Sequence, residues 1–260
     1  MSFTKIRSHA KINLALNVTG KNSLLHELES IVAFIDLHDD ILIKEIKLNK
    51  HIVSFSGKFS QNIKNDNTVS KLLKLLEKKG LLDNKKFLIK INKKIPNKAG
   101  LGGGSMNAAN ILKFFVKKKI IKVNKKELLT ICKLIGSDVI LGLNSTNSIL
   151  TSKNKIKYFN NCKKIFTLVV KPNFGCSTKE IYSKVRKFNK SKFDQPKKKM
   201  FNFDYLKRMS NCLEPIAFSK HTRLRTIKLY LDNLSKPLFV RMTGSGSALV
   251  AYFQSKQRCE

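Results

Sequence analysis

A chain of 260 residues is long enough to bury one large core or two modest ones. Its 52 Lys and Arg against 17 Asp and Glu leave a formal charge of +35. The basic residues run along the whole chain and are rarely interleaved with aromatics, so they read as a solvated lysine coat rather than a dedicated nucleic-acid face. No apolar run approaches the ~20 residues of a membrane span, and no signal-peptide core follows Met1. Cysteines 132, 162, 176, 212 and 259 are dispersed and never form a C-x-x-C pair, which excludes a disulfide or zinc framework and leads us to expect a cytoplasmic protein.

Ile6, Ser8, Ala10, Ile12, Leu14, Leu16 and Val18 recur at every second position and predict a half-buried strand. Its other face carries His9, Lys11, Asn13 and Asn17. A lysine there is solvent-facing by default, and gains meaning only if that face lines a cleft. Residues 31–37 and 41–46 predict a hairpin around His38-Asp39-Asp40. Asn67-Thr68 predicts the cap of a helix running to Lys79, with Gly80 as its stop.

Residues 86–95 predict a strand and residues 105–118 a helix, and between them four glycines fall within five positions. Glycine lets backbone N–H groups turn toward a ligand with no Cβ in the way. The helix start adds unpaired donors and partial positive charge. This junction therefore predicts a phosphate cradle over Pro96, Asn97, Lys98, Ala99, Gly100, Leu101, Gly102, Gly103, Gly104, Ser105 and Met106. It is not a Walker A loop, because no Lys-Ser or Lys-Thr pair closes it, and its spacing does not fit a dinucleotide fingerprint.

Asn124 with Glu127 predicts a capping box for a helix ending near Gly136, and Ser177 with Glu180 predicts another. Residues 165–170 predict a strand, 186–199 a polar linker or loop, and 203–234 helical structure. Residues 238–242 and 248–253 predict strands flanking Thr243-Gly244-Ser245-Gly246-Ser247. Strands and helices mix without regular alternation, so the expected class is α+β, in two halves divided between Tyr158 and Lys171.

Read jointly, Ala10-Lys11-Ile12-Asn13-Leu14, His26, residues 99–109, Gly136-Ser137-Asp138-Val139, Asn211-Cys212-Leu213-Glu214-Pro215 and Met242-Thr243-Gly244-Ser245-Gly246 resemble the GHMP small-molecule kinases. The similarity runs from Lys5 to Phe253, and the early motif, His26 and Leu-Glu-Pro resemble the branch acting on a cytidine diphosphate-linked methylerythritol. The resemblance implies a ribosomal-protein-type N-terminal domain over residues 1–162 and a ferredoxin-like C-terminal domain over residues 163–260. It implies ATP in the glycine cradle, with Asn67 as a further nucleotide contact, and transfer of the γ-phosphoryl to the 2-hydroxyl of that alcohol in non-mevalonate isoprenoid synthesis. Asp138 matches the catalytic aspartate and Lys11 its partner lysine. Asn13, His26, Thr178 and Tyr182 match residues that bind the cytidine, and Ser105 is a candidate ligand for Mg²⁺.

Against the pattern, Leu25 stands where an aromatic is usual, Met106 replaces a serine, and Ile140 replaces a proline. The C-terminal domain is expected to be truncated, lacking a helix and last strand, with a sheet edge exposed. The expected partner is a small molecule, with no membrane or nucleic acid, in a monomer or homodimer. Phosphorylation of homoserine or a mevalonate-type alcohol is the alternative within the superfamily. A basic nucleic-acid binder or an inactive remnant is the alternative outside it.

Overall fold

The computed structural model describes residues 2–21, 26–234 and 236–260. Contacts divide the chain into two compact units, each drawn from several stretches: Met1–Lys11, Ile35–Asn97 and Gly102–Ser145, and Ile12–Phe34, Lys98–Leu101 and Thr146–Glu260. Strands β1 (Thr4–Lys21) and β2 (His26–Ile46) pair with each other and contribute residues to both units.

In the first unit β2 pairs antiparallel with β4 (Lys86–Asn92), and β3 (Ile52–Ser56) lies parallel to β4. Helix α1 (Thr68–Lys78) lies in the crossover between β3 and β4, as a parallel pair requires. Asn67 caps it in a full capping box with Ser70. Asn124 and Glu127 cap α3 (Lys125–Ile135) in the same way, as their spacing predicts. Between them lies α2 (Gly103–Lys117), and after them the short α4 (Val139–Gly142). The core forms where Phe87, Ile89 and Ile91, alternating along β4, meet Leu72 and Leu76 of α1, Leu112 and Phe115 of α2, and Ile131 of α3.

The expected hairpin does not form, because β2 runs unbroken through His38-Asp39-Asp40. No glycine or proline there demands a turn, and the fully buried Asp39 is satisfied without one. Its Oδ1 accepts from the backbone N–H groups of Lys94 and Ile95, both at 2.8 Å, and its Oδ2 from Lys93 Nζ and from Asn107 Nδ2 at 2.9 Å. One carboxylate ties the exit of β4 to the first turns of α2. Buried charges persist only when paired in this way.

In the second unit β5 (Ser148–Leu150) pairs antiparallel with both β2 and β6 (Ile156–Tyr158). A separate sheet has the order β7-β9-β8, from Phe166–Val170, Leu249–Phe253 and Phe239–Met242. Its core joins Val240, Leu249 and Ala251 to Ile181 of α5 (Thr178–Ser183), Ala217 of α7 (Glu214–Lys220) and Leu224 of α8 (Thr222–Asn233). The helical structure expected over 203–234 takes the form of α7, α8 and, before them, the short α6 (Phe203–Lys207). Ser177 caps α5 by accepting from Glu180 N–H. The polar stretch 186–199 is no loose linker, since Glu29 accepts from the N–H groups of Lys192 and Phe193, at 2.8 and 2.9 Å, and Phe193 is buried. Among the described residues no helix is long and apolar enough to cross a membrane.

Candidate active site

The alternation of β1 holds only at its start, and from Ala10 to Val18 both faces are buried. Lys11, 3% exposed, therefore leaves the solvent face expected by default and extends its ammonium to 3.2 Å from Asp138 Oδ2. The Asp138 side chain is 37% exposed. Asp138 stands at the N-cap of α4, yet its side chain makes no capping hydrogen bond. Its carboxylate pairs with Lys11 and does not cap the helix. The Lys11 stem packs under Gly102, where a Cβ would sit 2.9 Å from Lys11 Cγ. Gly102 also has φ +70°, so glycine is required there on both counts.

Gly102 caps α2 without any side-chain hydrogen bond, and the first helical bond runs from Met106 N–H to Gly102 O at 2.9 Å. The earlier N–H groups of α2 thus form an uncapped donor set on a 15-residue helix. A Cβ on Gly103 would meet Ile95 at 3.0 Å and Lys93 Nζ at 3.1 Å, and one on Gly104 would meet Thr68 Oγ1 at 2.9 Å. Ser105 is half-buried on the first turn. Met106 is buried, and its sulfur lies 3.1 Å from where Gly142 would carry a Cβ, so it serves the core. The Asn67 amide is spent on capping α1 and on the carbonyls of Lys64 and Asn65. Asn97 donates to Phe59 O at 2.7 Å, and Pro96 is half-buried beside it.

In the second unit the chain from Lys98 to Leu101 docks against the C-terminal glycine motif. Ser247 N–H donates to Lys98 O at 3.3 Å and Ala248 N–H to Ala99 O at 3.1 Å. The side chains of Ala99 and Leu101 are buried. Gly100, at φ +76°, lies against the Thr243 carbonyl, and Thr243 Oγ1 donates to Gly100 O at 3.3 Å. Asn13 joins this knot, its N–H donating to Thr243 Oγ1 at 3.0 Å and its Nδ2 to Ser30 Oγ at 2.8 Å. Asn211 Nδ2 donates to the carbonyls of Met242 and Gly244, each at 2.8 Å, and Glu214 Oε1 accepts from Met242 N–H at 2.6 Å. The Asn-Cys-Leu-Glu-Pro segment thus shapes the glycine turn. Burial raises the Glu214 carboxyl above its ordinary range.

His26 and Tyr182 come together, with ring centroids 5.3 Å apart and planes inclined at 41°. Burial, and secondarily the charge of Lys21, lowers the His26 imidazole below 6.5, which favours the neutral ring with one donor and one acceptor nitrogen. Thr178 Oγ1 lies 3.0 Å from Ser245 Oγ. Leu25 lies outside the described residues. Sequence reasoning passed over Asp39, Lys93, Ser30 and Phe188. A carboxylate inside an apolar strand pattern was the available signal for Asp39. The other three carry no local mark.

A glycine-rich turn runs into a helix start beside a lysine–aspartate pair, and residues 67–149 match the GHMP kinases N terminal domain family. The family match, with the relatives that follow, defines the class as an ATP-dependent GHMP small-molecule kinase. The chain is 56% identical over 260 residues to 4-diphosphocytidyl-2-C-methyl-D-erythritol kinase from Pelagibacter ubique (strain HTCC1062), covering 100% of this chain and 92% of that one. It is 32% identical to the protein of the same name from Clostridium tetani (strain Massachusetts / E88), covering 98% and 93%. A crystal structure of 4-(cytidine 5'-diphospho)-2C-methyl-D-erythritol kinase matches the fold with a TM-score of 0.77 at 24% identity, covering 98% of this chain and 92% of that one. The chain belongs to the 4-diphosphocytidyl-2-C-methyl-D-erythritol kinase family.

Proposed function

We infer that this chain transfers the γ-phosphoryl group of ATP to the 2-hydroxyl of 4-diphosphocytidyl-2-C-methyl-D-erythritol, a step in non-mevalonate isoprenoid synthesis. The observation that carries the chemistry is the buried Lys11 ammonium 3.2 Å from an Asp138 carboxylate that makes no capping bond. Full-length identity of 56% to a kinase named for this alcohol supports the acceptor. Asp138 takes the hydroxyl proton as the oxygen–phosphorus bond forms and the bond to the β-phosphate oxygen breaks, with ADP leaving. Lys11 offsets charge on the phosphoryl oxygens, and the uncapped N–H groups at the start of α2 hold the phosphates.

His26 and Tyr182 bind the cytosine, while Asn13 and Thr178, held by Ser30, Thr243 and Ser245, orient that subsite. Mg²⁺ would be held largely by the ATP phosphates, with the Ser105 hydroxyl as its protein-side ligand, and would supply charge neutralisation. Among the described residues no group of three or more His, Cys, Asp or Glu is disposed to hold a metal ion by itself.

ADP release with Mg-ATP tests the reading, with the diphosphocytidyl alcohol, homoserine and mevalonate compared as acceptors. Turnover confined to the cytidine compound is expected. Turnover with another alcohol overturns the acceptor, and silence with all three from folded protein overturns the reading.

A further inference from the structure

Beyond α5 the chain enters its most basic stretch, and within it stands Phe188, 49% exposed. A single exposed aromatic needs no explanation. Phe188 is not single. Its ring centroid lies 6.5 Å from that of His26 with planes inclined at 57°, and His26 in turn pairs with Tyr182. The three rings form one cluster, in which Tyr182 packs against the core of the second unit while Phe188 stays exposed. Nor is the segment free to swing away. Asn189 N–H donates to Val18 O at 2.9 Å, and the Glu29 carboxylate, itself fully buried and bonded to Asn17, holds the N–H groups of Lys192 and Phe193. Backbone bonds to β1 and β2 residues therefore fix where Phe188 sits.

We propose that Phe188 is a further substrate-binding residue, an aromatic wall for the cytosine base beside His26 and Tyr182. The inference rests on the acceptor reading above and adds a residue to it. A planar base offers a π-face to any ring held at the right place, and burying a half-exposed phenyl against it removes apolar surface from water. The exposed Arg186, Lys187 and Lys190 around the ring add a positive field toward an anionic diphosphate.

The test compares Phe188→Ala and Phe188→Tyr with the unmodified chain. It measures KM for the diphosphocytidyl alcohol, KM for ATP, and calorimetric binding of cytidine diphosphate, after thermal melting shows each variant folded. Phe188→Ala is expected to raise the acceptor KM and weaken cytidine diphosphate binding by about 5- to 100-fold, with KM for ATP unchanged. Phe188→Tyr, which keeps the ring, should restore both. An alanine variant within about twofold of the unmodified chain on both readouts overturns the proposal, as does an equal rise in both KM values. Failure of the unmodified chain to phosphorylate the diphosphocytidyl alcohol overturns the acceptor reading instead, and this proposal with it.

Discussion

Gly100 lies so close to Thr243 that a Cβ on Gly100 would collide with the Thr243 carbonyl oxygen. Two glycine motifs far apart in sequence are thereby packed backbone against backbone. Gly100→Ala should destabilise through the clash and through φ +76°, by more than the ~1 kcal/mol typical of backbone strain alone. Gly80 is the control. It has φ +67° and nothing within 4 Å of a built Cβ, so Gly80→Ala reports the strain without the clash. Denaturant midpoints of the two variants measure the difference, and equal losses would remove the packing argument.

Asp138→Asn should cut kcat by about 10²–10⁴-fold while KM for ATP stays within a few-fold, because the amide cannot take the hydroxyl proton. Lys11→Met should likewise lower kcat, since the cradle donors remain but the facing charge is gone. Steady-state ADP release measures both. Turnover at the unmodified rate in either variant contradicts the assigned roles.

Asp39→Ala strands the buried Lys93 ammonium and frees two backbone N–H groups at the entry to the glycine loop. Removing one partner of a buried pair costs about 3–5 kcal/mol, so this variant should lose much of its stability and its ATP binding together. Asp39→Asn with Lys93→Met leaves no unpaired charge and should be less destabilising than Asp39→Ala. Chemical denaturation and nucleotide titration provide the comparison, and a double variant worse than the single would contradict it.

His26 and His221 are both held below 6.5, chiefly by burial and then by neighbouring Lys21 and Lys220. The folded imidazoles resist protonation, so the unfolded chain binds protons first as pH falls. Their contribution to stability is complete above 6.5 and is lost as pH drops through the folded values. Unfolding midpoints from about pH 8 to about pH 5 should fall less steeply in His26→Gln and His221→Gln than in the unmodified chain. A steeper fall in the variants would reverse the sign.

Local chemistry was legible where it is self-contained. Asn67 and Asn124 announced helix starts because a cap needs only a short polar side chain and the next three N–H groups. The glycine run between β4 and α2 announced a turn into a helix start for a similar reason. The His38-Asp39-Asp40 turn was misread because what keeps Asp39 in a strand lies more than 50 residues away, at Lys93, Lys94, Ile95 and Asn107. Phe188 was invisible because nothing local separates a solvated phenylalanine from one gathered beside His26.

By itself the sequence determined which residues were available: two glycine motifs, a Lys-x-Asn strand, an aspartate closing Gly136-Ser137-Asp138, and the family they resemble. Tertiary structure decided which of them act together. Alternation along β1 predicted solvent on the face of Lys11, Asn13 and Asn17, yet that face is covered, and the cover supplies Asp138, Thr243 and Glu29 as partners. A polar side chain removed from water must find such partners, and only the folded chain brings them within bonding distance.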